Sequence, residues 1–326
     1  MRADNRLYNV TPNILKSILS IALIVTIFAL IPLAISSDYI LSIIIRIFIW
    51  AILTQCWNIL SGYTGYVNVG MAAFYGLGAY IWGIAFRYLN IPFSIALLLA
   101  IIVPTAVGLL VGGVSLRLRG TYFTVTTLML ILILGNIFYN ISSFIPGATS
   151  EIWVPAISFS IGGMSAKQSF YYLFYLLFSV VTIATFIMER TKLGYGLKAI
   201  GEDEITAEEL GINVTKIKII AFLIGASISG LVGALHALYL AYIDVPIFFS
   251  VFLTFVIMYV AILGGRGIWF GSLIGSILYV PVDEAIVLLT AIPEYSRIFY
   301  GLLFILVMLF MPEGIGGFIK RKIRGD

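Results

Sequence analysis

The chain has 326 residues, of which 61% are apolar and only 10% charged, with a formal net charge of +4 and a mean hydropathy of +1.11. Those proportions exclude a water-soluble domain and leave a chain built to sit in a lipid bilayer. A single integral membrane domain over residues 1–326 accounts for nearly all of it.

A helix needs about 20 apolar residues to cross about 30 Å of hydrocarbon. Apolar runs separated by polar or Gly/Pro punctuation predict about ten spans. They fall near 14–35, 40–60, 66–87, 92–114, 121–141, 170–188, 217–241, 248–264, 268–289 and 296–312. The fold class is therefore an all-α polytopic membrane protein. The first run is too long for a signal-peptide core and ends in Pro32 and Ser36 without a small-residue cleavage pattern, so a retained helix is expected.

In the second span Arg46 sits about two turns inside the outer end, where its stem is expected to snorkel toward the headgroups. The lone Cys56 in the same run has no intrachain disulfide partner, and no cluster of metal ligands occurs anywhere in the sequence. Between the second and third spans Gly62, Gly65 and Gly70 cluster with Thr64 and Asn68. A similar cluster, Gly264, Gly265 and Gly267, follows late in the chain. Paired glycine-interrupted segments point to transport sites built from broken helices; tight cytoplasmic turns explain the same residues equally well. Gln55, Asn58, Asn136, Asn140 and His236 are uncharged polar residues inside spans. Each singly suits an interhelical hydrogen bond. Together they suit a weakly polar passage for a zwitterion, with Gly62, Gly65, Asn68, Gly70, Asn136 and His236 as candidate path residues.

The one long polar stretch between spans is 189–216, ERTKLGYGLKAIGEDEITAEELGINVTK. Residues 202–210 are rich in helix formers, with Ile205 and Leu210 apolar among acids, and Gly211 and Asn213 supply a stop. A short amphipathic helix and a turn are expected there. Ala207 and Gly211, four apart, would make one side of that helix end small enough for another protein to dock closely; a charged helical loop between two spans also needs no partner. In the seventh span Gly225, Ser229, Gly233, Ala237 and Ala241 form a ridge of small side chains. Gly267, Gly271 and Gly275 repeat the device in the ninth, and both predict close helix packing. Asp283 and Glu284 fall near the outer end of the ninth span and read as interfacial.

Ten spans put both termini on one side. Placing them in the cytoplasm leaves only Arg87, Lys167 and Arg297 outside, with Arg46 inside a span, as the positive-inside rule requires. Asp38, Glu151, Asp244, Asp283, Glu284 and Glu294 then make the outer face mildly acidic, a surface able to meet a basic partner.

The string in the long loop resembles the cytoplasmic coupling loop of the LivHM-type ABC permeases for branched-chain amino acids. The matching residues are Ala199, Glu202, Asp203, Glu204, Ala207, Gly211, Ile212 and Asn213. The segments GYTGYVNVGMAAFYGLGAY (62–80), LRLRGTYF (116–123), AFLIGASISGLVGALHALYLAYI (221–243) and ILGGRGIWFGSLIG (262–275) also resemble that family, so the likeness covers about residues 50–312. Gly201 and Thr206 depart from the pattern, in which a longer side chain and Ala are more usual.

The resemblance implies an ABC importer permease fold and an ATPase-coupling role for the eight loop residues. It also implies the partners: a second permease subunit in a heterodimer, two cytoplasmic ATPase subunits carrying ATP and Mg, and an extracytoplasmic solute-binding protein. Within this chain no cofactor, catalytic residue or nucleic-acid contact is expected. The sequence has no GxxxxGK[ST] phosphate loop and no buried acid or basic relay for ion coupling. A stand-alone secondary transporter or a membrane-embedded enzyme fits less well on those grounds. Related permeases for urea, amides or sugars remain the nearest alternative.

Overall fold

The computed structural model describes residues 26–32, 37–117, 120–141, 149–154 and 163–290, with a few further positions between 299 and 316. The expected first and last spans, 14–35 and 296–312, lie largely outside the described residues, as do both termini with the basic residues there, together with Arg119, Arg297 and Glu294.

Backbone amides in hydrocarbon must be satisfied within the segment, so the apolar runs fold as helices. These are α1 (Asp38–Trp57, prolonged by a π-helical turn Asn58–Gly62), α2 (Met71–Arg87), α3 (Phe93–Ser115) and α4 (Thr121–Tyr139). After the two-residue strand β1 (Ile152–Trp153) come α5 (Ala166–Met188), α6 (Lys192–Glu202), α7 (Glu204–Glu209) and α8 (Val214–Leu240). Strand β2 (Tyr242–Ile243), α9 (Val245–Phe248), α10 (Val251–Gly264) and α11 (Gly271–Thr290) complete the order.

Seven helical stretches among the described residues are long and apolar enough to cross a membrane. α2, at 17 residues, is the exception: it spans only about 26 Å, short of the hydrocarbon thickness. A non-helical segment, 65–70, precedes it. With α2 included, each expected run from 40–60 through 268–289 has a helical counterpart, although the run at 66–87 becomes a helix only at Met71 and the one at 248–264 contains a break at Phe249–Ser250.

α2 is the centre of the bundle. Every residue from Met71 to Tyr80 is buried, and its Ala72, Ala73, Gly76, Gly78 and Ala79 let neighbouring backbones approach closely. A Cβ on Gly78 would run into the Gly230 carbonyl of α8, and one on Gly233 into the Tyr75 carbonyl of α2. Gly225 lies against the Cys56 carbonyl of α1, at 3.0 Å from where its Cβ would be, and Ser229 is fully buried on the same helix. On the far side of the bundle α10 and α11 close on each other through Gly264, Gly271 and Gly275, whose Cβ positions fall on backbone carbonyls across the contact; Gly267, expected on the same helical ridge, lies instead in the turn before α11 with φ +65°. α3 presents Leu98, Ile102, Leu109, Leu110 and Val114 outward, the surface a helix offers to lipid.

The loops gather at two ends. At the hairpin end β1 pairs antiparallel with β2, Ile152 opposite Ile243 and Trp153 opposite Tyr242, beside Ala241, which closes α8 in a left-handed conformation (φ 55°). At the loop end lie 62–70, the segment between α5 and α8, and the turn between α10 and α11.

Candidate functional site

The glycine cluster after α1 is a true break, and its partners are side chains from three helices, α1, α4 and α10. Gly65 turns the chain with φ +76°, a conformation costly for any residue with a Cβ. The chain then runs back beside the end of α1. Trp57 Nε1 donates to the Asn68 carbonyl at 2.8 Å, and the Asn68 amide donates to Ser61 Oγ at 3.2 Å. From α4, Thr124 Oγ1 donates to the Val67 carbonyl at 3.0 Å and Thr127 Oγ1 accepts from the Val69 amide at 3.2 Å. Asn68 Oδ1 accepts from the Gly70 amide at 2.8 Å, and Thr254 Oγ1 of α10 accepts from the Ala72 amide at 3.2 Å. Each group freed by the break would otherwise cost several kcal/mol in hydrocarbon.

The second glycine cluster meets the first. Asn58 Oδ1 accepts from the Gly267 amide at 3.2 Å, and a Cβ on Gly62 would stand 2.8 Å from the same nitrogen. The two interruptions, about 200 residues apart in the chain, thus share one position at the loop end of the bundle.

The loop between α5 and α8 packs onto that break. It contains two helices where one was expected, because Asp203 leaves helical geometry (φ −157°) and caps α7 by accepting from the Thr206 amide at 2.7 Å. That bond holds the Asp203 carboxyl below its usual range. α6 is the element that sequence reasoning missed. Gly194, Gly196 and Gly201 argue against a helix by propensity, yet each is where another backbone or side chain presses in: Met188, Ile217 and Tyr63 respectively. At Gly201 the fit leaves no room for a Cβ, which would fall on the Tyr63 carbonyl.

The loop residues divide by face. Ala207 is buried with Ile200 and Val214, so the small-residue docking ridge expected from Ala207 and Gly211 does not exist; an internal apolar cluster consumes Ala207. Ala199 and Ile212 pack against that cluster. Gly211 ends α7 with φ +84° and Asn213 caps α8, accepting from the Lys216 amide at 3.0 Å. Glu202 and Asp203 are exposed. Glu204 turns inward: its Oε1 accepts from Lys218 Nζ at 2.8 Å, and its Oε2 accepts from the Tyr66 hydroxyl at 2.5 Å. Facing away from the protein are Ile205 at 57% exposure and Leu210 at 76%, an apolar pair left uncovered by the described residues.

Toward the hairpin end, His236 of α8 shares a hydrogen bond through Nδ1 with the Tyr75 hydroxyl of α2 and lies among Tyr239 and Phe248. Asn136 is not brought to either place: it is exposed on α4 and its Nδ2 donates back to the Leu132 carbonyl of its own helix at 2.8 Å. Nor does Arg46 simply snorkel. It is bonded to Glu284 and lies 3.8 Å from Asp283 across the α1–α11 contact, and Tyr39 donates to the same Glu284 carboxylate at 3.0 Å. Among the described residues no group of His, Cys, Asp and Glu is arranged to hold a metal.

Apolar helices packed around a broken, side-chain-satisfied segment, with an inward-braced loop at one end, define a polytopic membrane protein. The sequence matches the family described as branched-chain amino acid transport system, permease component, over residues 39–308, and the chain belongs to that family. It is 30% identical to the high-affinity branched-chain amino acid transport system permease protein LivM of Salmonella typhimurium, over 82% of this chain and 67% of the relative. The probable LivM of Methanocaldococcus jannaschii is 25% identical over 86% and 94% of the two chains. The LivH permease protein of Salmonella typhimurium is 31% identical over 43% and 44%. No solved structure matches the chain. The protein is therefore a multi-pass inner-membrane protein and a permease component of a transport system.

Proposed function

We propose that this chain forms one half of a membrane heterodimer that imports branched-chain amino acids, with both termini and the 189–216 loop in the cytoplasm. About ten spans make up its half, the first and last being those near 14–35 and 296–312. The charge distribution supports the orientation: Arg117, Arg190, Lys192, Lys198, Lys216 and Arg266 all belong to the loop end, against Arg87 and Lys167 at the hairpin end. Two cytoplasmic ATPase subunits, holding ATP and Mg, dock on the loop. An extracytoplasmic binding protein delivers the solute at the hairpin end and supplies most of the selectivity.

The observation that carries this reading is the contact between loop and break. Gly201 lies on Tyr63, and Glu204 is tied to Tyr66, so a partner pressing on the exposed Ile205 and Leu210 presses through one short helix on the interrupted segment. Closure of the ATPase pair then rocks the helices between outward and inward access. Copurification from the native membrane tests the assembly. An ATPase and a second permease subunit are expected to accompany the intact protein and to be lost when 202–211 is scrambled; absence of an ATPase from both preparations contradicts it.

A further inference from the structure

Lys218 sits in the first turns of α8 with its side chain 2% exposed, facing Glu204 of α7 at 21%. A buried ammonium costs several kcal/mol unless it is paired and its protons are satisfied. Here Nζ donates to Glu204 Oε1 at 2.8 Å and to the Tyr66 hydroxyl at 3.2 Å, and it lies 4.3 Å from the centre of the Tyr66 ring. Tyr66 closes the circuit by donating to the other Glu204 oxygen, and its ring stands edge-on to Phe123 of α4 at 5.7 Å. Three separate elements thus meet at one buried charge: α7, the interrupted segment 65–70, and α8.

Buried ion clusters of this kind seldom add net stability over apolar packing of the same volume, and their best-attested use is to fix one arrangement against another. α7 suits such a use because it is two-faced. Glu204 and Ala207 point into the protein, and Ile205, Glu208, Glu209 and Leu210 point out. Whatever displaces the outer face must carry Glu204 with it, and Glu204 holds both Lys218 and Tyr66.

We infer that Glu204, Lys218 and Tyr66 are positioning residues that convert displacement of α7 into movement of the 65–70 segment relative to α8. This inference rests on the ATPase-docking reading above. Site-to-site coupling of this sort typically amounts to about 5- to 150-fold.

The test uses the complete transporter, purified with its partner subunits and reconstituted in proteoliposomes with its binding protein, and reads uptake of labelled leucine and ATP hydrolysis in the same vesicles. In Glu204→Gln and in the double substitution Glu204→Met with Lys218→Met, the ATP hydrolysed per solute imported is expected to rise by about ten-fold, with the ATPase still copurifying. The charge exchange Glu204→Lys with Lys218→Glu is expected to recover part of the ratio. Should the charged variants fail to assemble, Tyr66→Phe, which removes one hydroxyl, decides by the same ratio, with a rise of about three-fold expected. An unchanged ratio in variants that assemble, whether or not both rates fall together, overturns the inference. Failure of the unsubstituted protein to bring down an ATPase overturns the docking reading instead.

Discussion

Gly201 of α6 lies directly on the carbonyl of Tyr63, the residue with which α1 gives way to the break. The loop and the interrupted segment touch there without an intervening side chain, so the fit depends on position 201 having no Cβ. Gly201→Val is expected to push α6 off the end of α1 and to destabilise the protein by about 1–3 kcal/mol. Gly113, which has no neighbour within 4 Å of its Cβ position, is the control: Gly113→Ala is expected to be neutral or slightly stabilising. Thermal unfolding of the detergent-solubilised protein distinguishes the two.

Thr127 satisfies the Val69 amide from a neighbouring helix. Thr127→Val keeps its shape and removes the acceptor, leaving that amide buried and unpaired at a cost of about 1–3 kcal/mol. Thr126→Val is expected to have little effect, because the Thr126 hydroxyl donates only to the Tyr122 carbonyl of its own helix and is exposed. Paired measurements of melting temperature and of uptake check this, with both expected to fall for Thr127→Val alone.

The cap of α7 gives a pH dependence with a definite sign. The amide of Thr206 favours the ionised carboxylate of Asp203, so the folded pKa lies below the unfolded one. Its contribution is then fully present above the unfolded value of about 3.9 and is lost as pH falls through the lower, folded value. Hydrogen exchange at residues 204–207 is expected to show constant protection from neutral pH down to about 5 and a loss only below about 4. Asp203→Asn, which keeps an acceptor, is expected to remove the pH dependence while retaining most of the protection.

Arg46 and Glu284 join α1 to α11 near their hairpin ends. With the Arg46 side chain 34% exposed and Glu284 at 19%, the pair lies between a solvated and a buried one. A double-mutant cycle with Arg46→Met and Glu284→Gln is expected to return a coupling of about 1 kcal/mol. Zero coupling would restore the snorkelling role first expected of Arg46.

The membrane-crossing helices were legible in the sequence because an apolar run of sufficient length needs no knowledge of its neighbours. So was the break at Gly62–Gly70, since glycines beside Asn68 and Thr64 interrupt such a run. The identity of its partners was not: Thr124, Thr127 and Thr254 read as ordinary helical threonines until the fold sets them beside backbone 57 to 182 positions away. α6 was hidden for a related reason, because its three glycines serve close contacts that exist only after folding. The loop's inner face was misjudged at Ala207 and missed at Glu204–Lys218, since periodicity over six residues does not say which side of so short a helix is covered.

In the proposed mechanism the loop end takes energy from ATP and delivers it to the interrupted segment. Uptake of labelled leucine into proteoliposomes holding the complete transporter and its binding protein, with ATP supplied only on the face carrying the 189–216 loop, tests it most directly. Accumulation that requires ATP on that face, and that an imposed proton or sodium gradient does not replace, is the result expected. Accumulation driven by an ion gradient without ATP would show that the loop end does not take energy from ATP.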